Sequence, residues 1–154
     1  MIERYSRPEM ARLWTQEAKY EAWLRVELAV CEAYGRRGLI PAEALGRIKA
    51  RATVTPQRID VIEATTHHDI IAFLTNLEEA LGADSRYVHI GLTSSDVVDT
   101  AQALQLQQAC ELLLAGLERF RGAVGVLAVR HKDTLCVGRT HGIHAEPMTF
   151  GLKP

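Results

Sequence analysis

A chain of 154 residues, 47% hydrophobic and 24% charged, has the composition of one soluble globular domain, and its 18 basic and 19 acidic residues leave a formal charge of −1. That balance gives no support to nucleic-acid or membrane-surface binding, and no run of ~18 apolar residues exists to span a bilayer. Charged residues follow Met1 directly, so no secretory signal is expected; Cys31, Cys110 and Cys136 stand far apart in no CxxC pair, which predicts reduced thiols and a cytoplasmic chain.

Taken in order, the chain reads as helix after helix. Ser6-Arg7-Pro8-Glu9 fits a capping box and predicts a short helix ending near Trp14. A longer helix follows from about Thr15, with Ala22, Trp23, Val26, Ala29, Val30 and Ala33 on one face, closed by Gly35 and Gly38. Pro41 opens a third helix through about Ala50, and Thr55-Pro56 supplies the N-cap and first position of a fourth. Thr65 and Thr66 break the pattern before His67-His68-Asp69. Ile70, Ile71, Phe73, Leu74, Leu77 and Leu81 then recur with helical spacing up to Gly82. No stretch alternates convincingly with period two, and Asn-Gly or Asp-Gly hairpin pairs are absent. The predicted fold class is all-α.

Gly91, Thr93 and Ser94 form a polar turn ahead of a helix beginning at Ser95, with Thr93 or Ser94 as its cap and Asp96 complementing its dipole. Small hydroxyls and free N–H groups at a helix N-terminus make a ready anion site, and His89 lies just upstream. Read through to about His131, this helix is ~55 Å long. A globule of this chain length is only ~40 Å across. Apolar residues from Val97 to Leu127 spread widely around it, which expects helical partners on several sides. The boundary is placed near Leu92–Thr93: residues 1–93 as a small helical domain, 94–154 as the beginning of a bundle.

Gly138 and Gly142 bracket Arg139-Thr140-His141, which predicts an irregular loop, with Pro147 in the first turn of another helix. Three readings of His141 stand: a structural histidine, a metal ligand with His144 and His67-His68-Asp69, or an acid/base group. An imidazole's ordinary pKa of ~6.5 suits the last at neutral pH.

Three stretches in one order resemble the adenylosuccinate lyase family of the fumarase/aspartase superfamily. They are Thr66-His67-His68-Asp69-Ile70-Ile71-Ala72-Phe73, then His89-x-Gly91-x-Thr93-Ser94-x-Asp96 with Val97-Val98-Asp99-Thr100, and then Gly138-Arg139-Thr140-His141-Gly142-Ile143-His144-Ala145-Glu146-Pro147. The opening Met1-Ile2-Glu3-Arg4-Tyr5 resembles the family's start. The resemblance implies elimination of fumarate from adenylosuccinate and from succinyl-aminoimidazole-carboxamide ribotide, without metal or organic cofactor. It implies His141 as general acid, His68 as a second active-site histidine, and Arg4 and Tyr5 at the nucleotide phosphate. Thr93 and Ser94 would hold the succinyl portion, with His67 and Asp69 at substrate contacts and His89 a possible further site residue. His67 departs from the Arg or Lys that relatives often carry. Family members are homotetramers, with active sites shared between subunits and a serine base far downstream of these motifs, so this chain is expected to be a piece of such an enzyme. Two other readings are a 3-carboxy-cis,cis-muconate cycloisomerase-like relative and a non-catalytic helical assembly module.

Overall fold

The computed structural model describes residues 2–153. By their internal contacts they divide into two compact units, one running to Ala109 and one beginning at Cys110.

In the first unit a 3₁₀ turn over Glu3–Tyr5 precedes the short helix α1 (Pro8–Arg12). The capping box expected from Ser6 and Glu9 does not form. Arg7 holds the N-cap position, and the Ser6 hydroxyl donates to the Ile2 carbonyl at 2.9 Å. Pro8 starts the helix instead, because its fixed φ suits the first turn and its missing N–H costs nothing there. Helix α2 (Gln16–Arg36) is capped as its sequence predicts, the Thr15 hydroxyl accepting the Ala18 N–H at 3.2 Å. Helices α3 (Ala42–Arg51), α4 (Pro56–Thr66) and α5 (Asp69–Leu81) follow, and a 3₁₀ segment over Gly82–Tyr87 leaves α5. Thr55 takes the α4 N-cap position but makes no side-chain cap; its N–H donates to the Asn76 carboxamide oxygen at 3.1 Å. The long helix α6 spans Ser94–Arg130.

The core lies among these helices. Tyr20 and Trp23 of α2 meet Phe73 of α5 in an aromatic triad with ring centroids 5.3–6.3 Å apart. Ile48, Ile59, Ile70, Leu77 and Val97 pack around it, so every helix from α2 to α6 contributes a fully buried residue. Burying each such side chain stabilises by ~1.5–3 kcal/mol. The expected apolar face of α2 is rotated: Tyr20, Trp23, Val26, Glu27 and Cys31 are buried, whereas Ala29 is exposed. A bidentate pair fixes α3 to the 3₁₀ segment, the Arg47 Nε and Nη2 groups donating to Asp84 at 2.7 and 2.9 Å.

The second unit contains the one clear departure from an all-α chain. Residues 135–149 are neither an irregular loop nor the start of a helix, but an antiparallel hairpin of β1 (Leu135–Thr140) and β2 (Ile143–Thr149). His141 (φ 49°) and Gly142 (φ 78°) form its two-residue turn, and positive φ at both is the pattern of a type I′ loop, whose twist matches that of the strands. Pro147 is accommodated as a strand residue because a two-stranded ribbon leaves every residue on an edge. The ladder is irregular between Val137 and Arg139, and a Cβ on Gly138 would stand 3.0 Å from the Glu146 carbonyl oxygen. Beyond β2 the chain returns to the end of α6: Phe150 N–H donates to Thr134 O at 2.7 Å and Gly151 N–H to His131 O at 2.9 Å. Only glycine fits at 151, where a Cβ would lie 2.3 Å from the Ala128 carbonyl oxygen.

Candidate active site

The residues singled out in the sequence sit where elements end. In the 3₁₀ turn near the N-terminus, Tyr5 is largely exposed and the Arg4 guanidinium lies over its ring at 4.8 Å from the centroid. This is a cation–π pair open to a ligand anion, since the guanidinium keeps its donors.

His67 and His68 are the whole connection between α4 and α5. His67 caps α4 in the left-handed conformation (φ 50°), and its N–H donates to Glu63 O. The chain then turns to extended geometry at His68, the N-cap of α5. His68 Nδ1 faces the Ile71 N–H at 3.5 Å, a long and weak contact. Asp69 Oδ1 stands 3.6 Å from the same Nδ1 and accepts the Ile70 N–H at 2.7 Å. Both histidines are exposed, so their imidazoles remain available.

The 87–96 turn is held from below and above. From α2, the Glu27 carboxylate accepts the His89 N–H at 2.9 Å and stands 2.6 Å from His89 Nδ1. One turn further along, the Cys31 thiol donates to Tyr87 O at 3.6 Å, and Tyr34 OH donates to Ile90 O at 3.1 Å. Burial, and then the Glu27 charge, push the Cys31 thiol up to about 11, which keeps it a protonated donor at neutral pH. Gly91 (φ 70°) passes so close to Tyr34 that a Cβ would lie 3.0 Å from its hydroxyl. At the α6 end, Asp96 Oδ2 accepts the Thr93 N–H at 2.8 Å, half of a capping box. Thr93 is exposed and Ser94 half-buried at this helix start, where the helix dipole favours an anion. Helix α6 starts one residue earlier than the cap rule alone predicts. Gly91, Leu92 and Asp96 also border a cleft of roughly 730 Å³ against Val26, Val30 and Tyr34 of α2, which none of the predicted site residues lines.

In the second unit, His141 sits exposed at the tip of the hairpin, and His144 pairs across the strands with Arg139. Among the described residues no three His, Cys, Asp or Glu side chains gather as a metal would require. The first unit thus brings Arg4, Tyr5, His67, His68, Asp69, His89, Thr93 and Ser94 into one compact body, while His141 belongs to the second.

One feature unites the three motifs and was not visible in the sequence. Among the described residues, the non-glycine positions with positive φ are His67, His89 and His141. Each motif carries one. Left-handed backbone costs a non-glycine residue roughly 1–2 kcal/mol and is kept where surrounding structure compels it, often at functional sites. Glu27 was also missed; its only sequence signal is an acid in the series Trp23, Glu27, Cys31, Tyr34 that otherwise reads as a helix face.

The chain is similar to known proteins over nearly its whole length. A family model described as "Lyase" matches residues 3–153. Over 153 residues the chain is 54% identical to adenylosuccinate lyase of Synechocystis sp., covering 99% of this chain and 36% of that protein. It is 50% identical to adenylosuccinate lyase of Bacillus subtilis over the same shares. Among solved structures it is similar to a fumarate lyase from Mesorhizobium sp. BNC1, with TM-score 0.86 and 32% identity over 94% of this chain and 35% of that one. It is also similar to 3-carboxy-cis,cis-muconate lactonizing enzyme from Pseudomonas putida, with TM-score 0.87 and 31% identity over 97% of this chain and 36% of that one. The chain therefore spans about a third of the length of the relatives it matches.

Proposed function

Because the chain belongs to the lyase family matched over residues 3–153, we propose that it is the amino-terminal portion of an adenylosuccinate lyase. The observation that carries this reading is the 50–54% identity to adenylosuccinate lyases across essentially the whole chain. The cycloisomerase-like alternative draws on relatives of lower identity, 31% over a similar span.

The reaction is elimination of fumarate from adenylosuccinate, giving AMP, and from succinyl-aminoimidazole-carboxamide ribotide in the same biosynthesis. A base takes a proton from the carbon beside one carboxylate, and the electron pair passes into that carboxylate as an aci-carboxylate. It then returns to form the C=C bond as the C–N bond breaks. Thr93, Ser94 and the α6 N-terminus suit the carboxylate on which this charge develops. His141, exposed at a tight turn, protonates the departing nitrogen. Arg4 and Tyr5 hold the nucleotide phosphate, and His67, His68 and Asp69 engage the substrate at the α4–α5 junction. The base belongs to a part of the enzyme outside the third represented here. No metal or organic cofactor enters these steps. In the whole enzyme the domain boundary lies at 93/94, α6 opens the central bundle of a homotetramer, and the enzyme works in the cytoplasm.

The test is a hybrid in which this chain replaces the matching third of the Bacillus subtilis relative. Release of fumarate from adenylosuccinate is the expected result. A folded, tetrameric hybrid without that activity refutes the reading.

A further inference from the structure

A carboxylate buried to 1% exposure faces the turn that carries Thr93 and Ser94, and its chemistry restricts what that turn can do. Glu27 comes from the middle of α2, and both its oxygens are committed to one residue: Oε2 to the His89 N–H at 2.9 Å, Oε1 to His89 Nδ1 at 2.6 Å. An ionised carboxylate only accepts hydrogen bonds, so Nδ1 carries the proton and, in the neutral ring, Nε2 keeps its lone pair. The imidazole retains 20% of its surface, and its backbone sits at φ 63°. Cys31 and Tyr34, at i+4 and i+7 from Glu27, bond Tyr87 O and Ile90 O on the same side. One face of α2 is therefore a three-rung clamp on residues 87–90.

We propose that Glu27 is a positioning residue of the active site, fixing the tautomer and orientation of His89 and the placement of the turn that presents Thr93 and Ser94. The inference rests on the lyase reading above. It deepens that reading by placing control of the carboxylate-binding turn in a side chain that does not itself meet substrate. A carboxylate is needed rather than any polar group of the same size. In Glu27→Gln the carboxamide oxygen can still accept the His89 N–H, but its NH₂ group then faces Nδ1 and compels that nitrogen to become the acceptor. The ring must exchange its tautomer or lose the contact.

Two measurements decide the matter. Hydrogen exchange of the 154-residue chain needs no substrate: Glu27→Gln should speed exchange of the 87–92 amides about tenfold or more, while the Tyr20–Val26 amides keep their protection. In the hybrid enzyme the same substitution should lower kcat by ~10²-fold or more, with a smaller change in KM. Unchanged exchange together with unchanged kcat overturns the proposal. So does a loss of turnover that disappears when the variant is assayed well below its own Tm, since that marks a purely structural residue. If the unsubstituted hybrid is folded and tetrameric but releases no fumarate, the lyase reading falls and the exchange result alone judges Glu27.

Discussion

The exposed half of α6 yields a quantitative prediction. Leu106, Cys110, Leu113, Leu117, Phe120, Val124 and Leu127 recur at alternating intervals of four and three, the spacing of a coiled-coil seam, and the charged residues of this stretch fall outside that series. Leu106, Leu113, Leu117, Phe120 and Leu127 are each between 42% and 67% exposed. Covering a side chain that is about half exposed gains ~1 kcal/mol, so five on each of two copies contribute about 10 kcal/mol before association costs of ~4–15 kcal/mol. At costs of ~4–6 kcal/mol, the low end of that range, the balance of about −4 to −6 kcal/mol places self-association of the 154-residue chain between tens of micromolar and about 1 mM. Replacing Leu113 and Leu117 by Gln removes four of those ten side chains across a pair, about 4 kcal/mol, and should weaken association ~10³-fold. Gln forms helix about as well as Leu and adds no charge, so α6 itself should persist. Sedimentation velocity across that concentration range, with circular dichroism as the control, reads the difference. A double variant that associates like the parent refutes the seam, as does a parent that stays monomeric throughout.

Other outcomes follow from particular contacts. In the hybrid enzyme, His141→Ala should lower kcat by ~10²–10⁴-fold with little change in KM, checked by steady-state fumarate release. Phe73→Ala removes one ring of the aromatic triad and should destabilise the chain by ~3–5 kcal/mol in urea unfolding followed by Trp23 fluorescence. The Arg47 hydrogen bonds hold the Asp84 carboxyl below its usual range, so this pair's stability is present above the unfolded pKa of ~3.9 and lost as pH falls through the lower folded value. The urea midpoint of Asp84→Asn should accordingly lie below the parent's at pH 7 and converge with it on strong acidification. His67→Gly should raise stability by up to ~1 kcal/mol, since glycine takes the left-handed C-cap without steric cost, while KM of the hybrid rises. Thermal melts with matched kinetics check both halves.

What could be read from the sequence was local. Thr15, Pro56, Gly82 and the 70–81 apolar series mark their helices because caps, breakers and a buried face are written within a few residues of one another. The hairpin escaped for a physical reason. Val137 and Ile143 are both exposed, and Gly138 alone of the two strands is buried, so little apolar alternation needs to be encoded. Its turn uses His141-Gly142 rather than Asn-Gly, and a rule that looks for Asn or Asp misses a histidine in the same conformation. The error on α2 is different in kind. Counting alanines set the face too far toward Ala29, whereas Glu27 is buried because His89, 62 residues away, satisfies it. A partner at that distance leaves no local pattern.

The same limit explains why the three motifs stood out in the sequence while their backbone geometry did not. Spacing names the histidines in each motif, but only the backbone distinguishes His67, His89 and His141, the left-handed ones, from His68 and His144. Their surroundings compel that conformation in three unrelated ways. At His67 it ends α4 so that α5 can begin after His68, which sets those two imidazoles at the junction of the helices. At His89 it lets one residue offer both its N–H and its Nδ1 to the same carboxylate. At His141 it closes a two-residue hairpin and leaves the ring on the outermost position of the ribbon. Glycine or asparagine would serve the backbone in each place at lower or similar cost. A shared need for left-handed geometry therefore does not by itself account for three histidines.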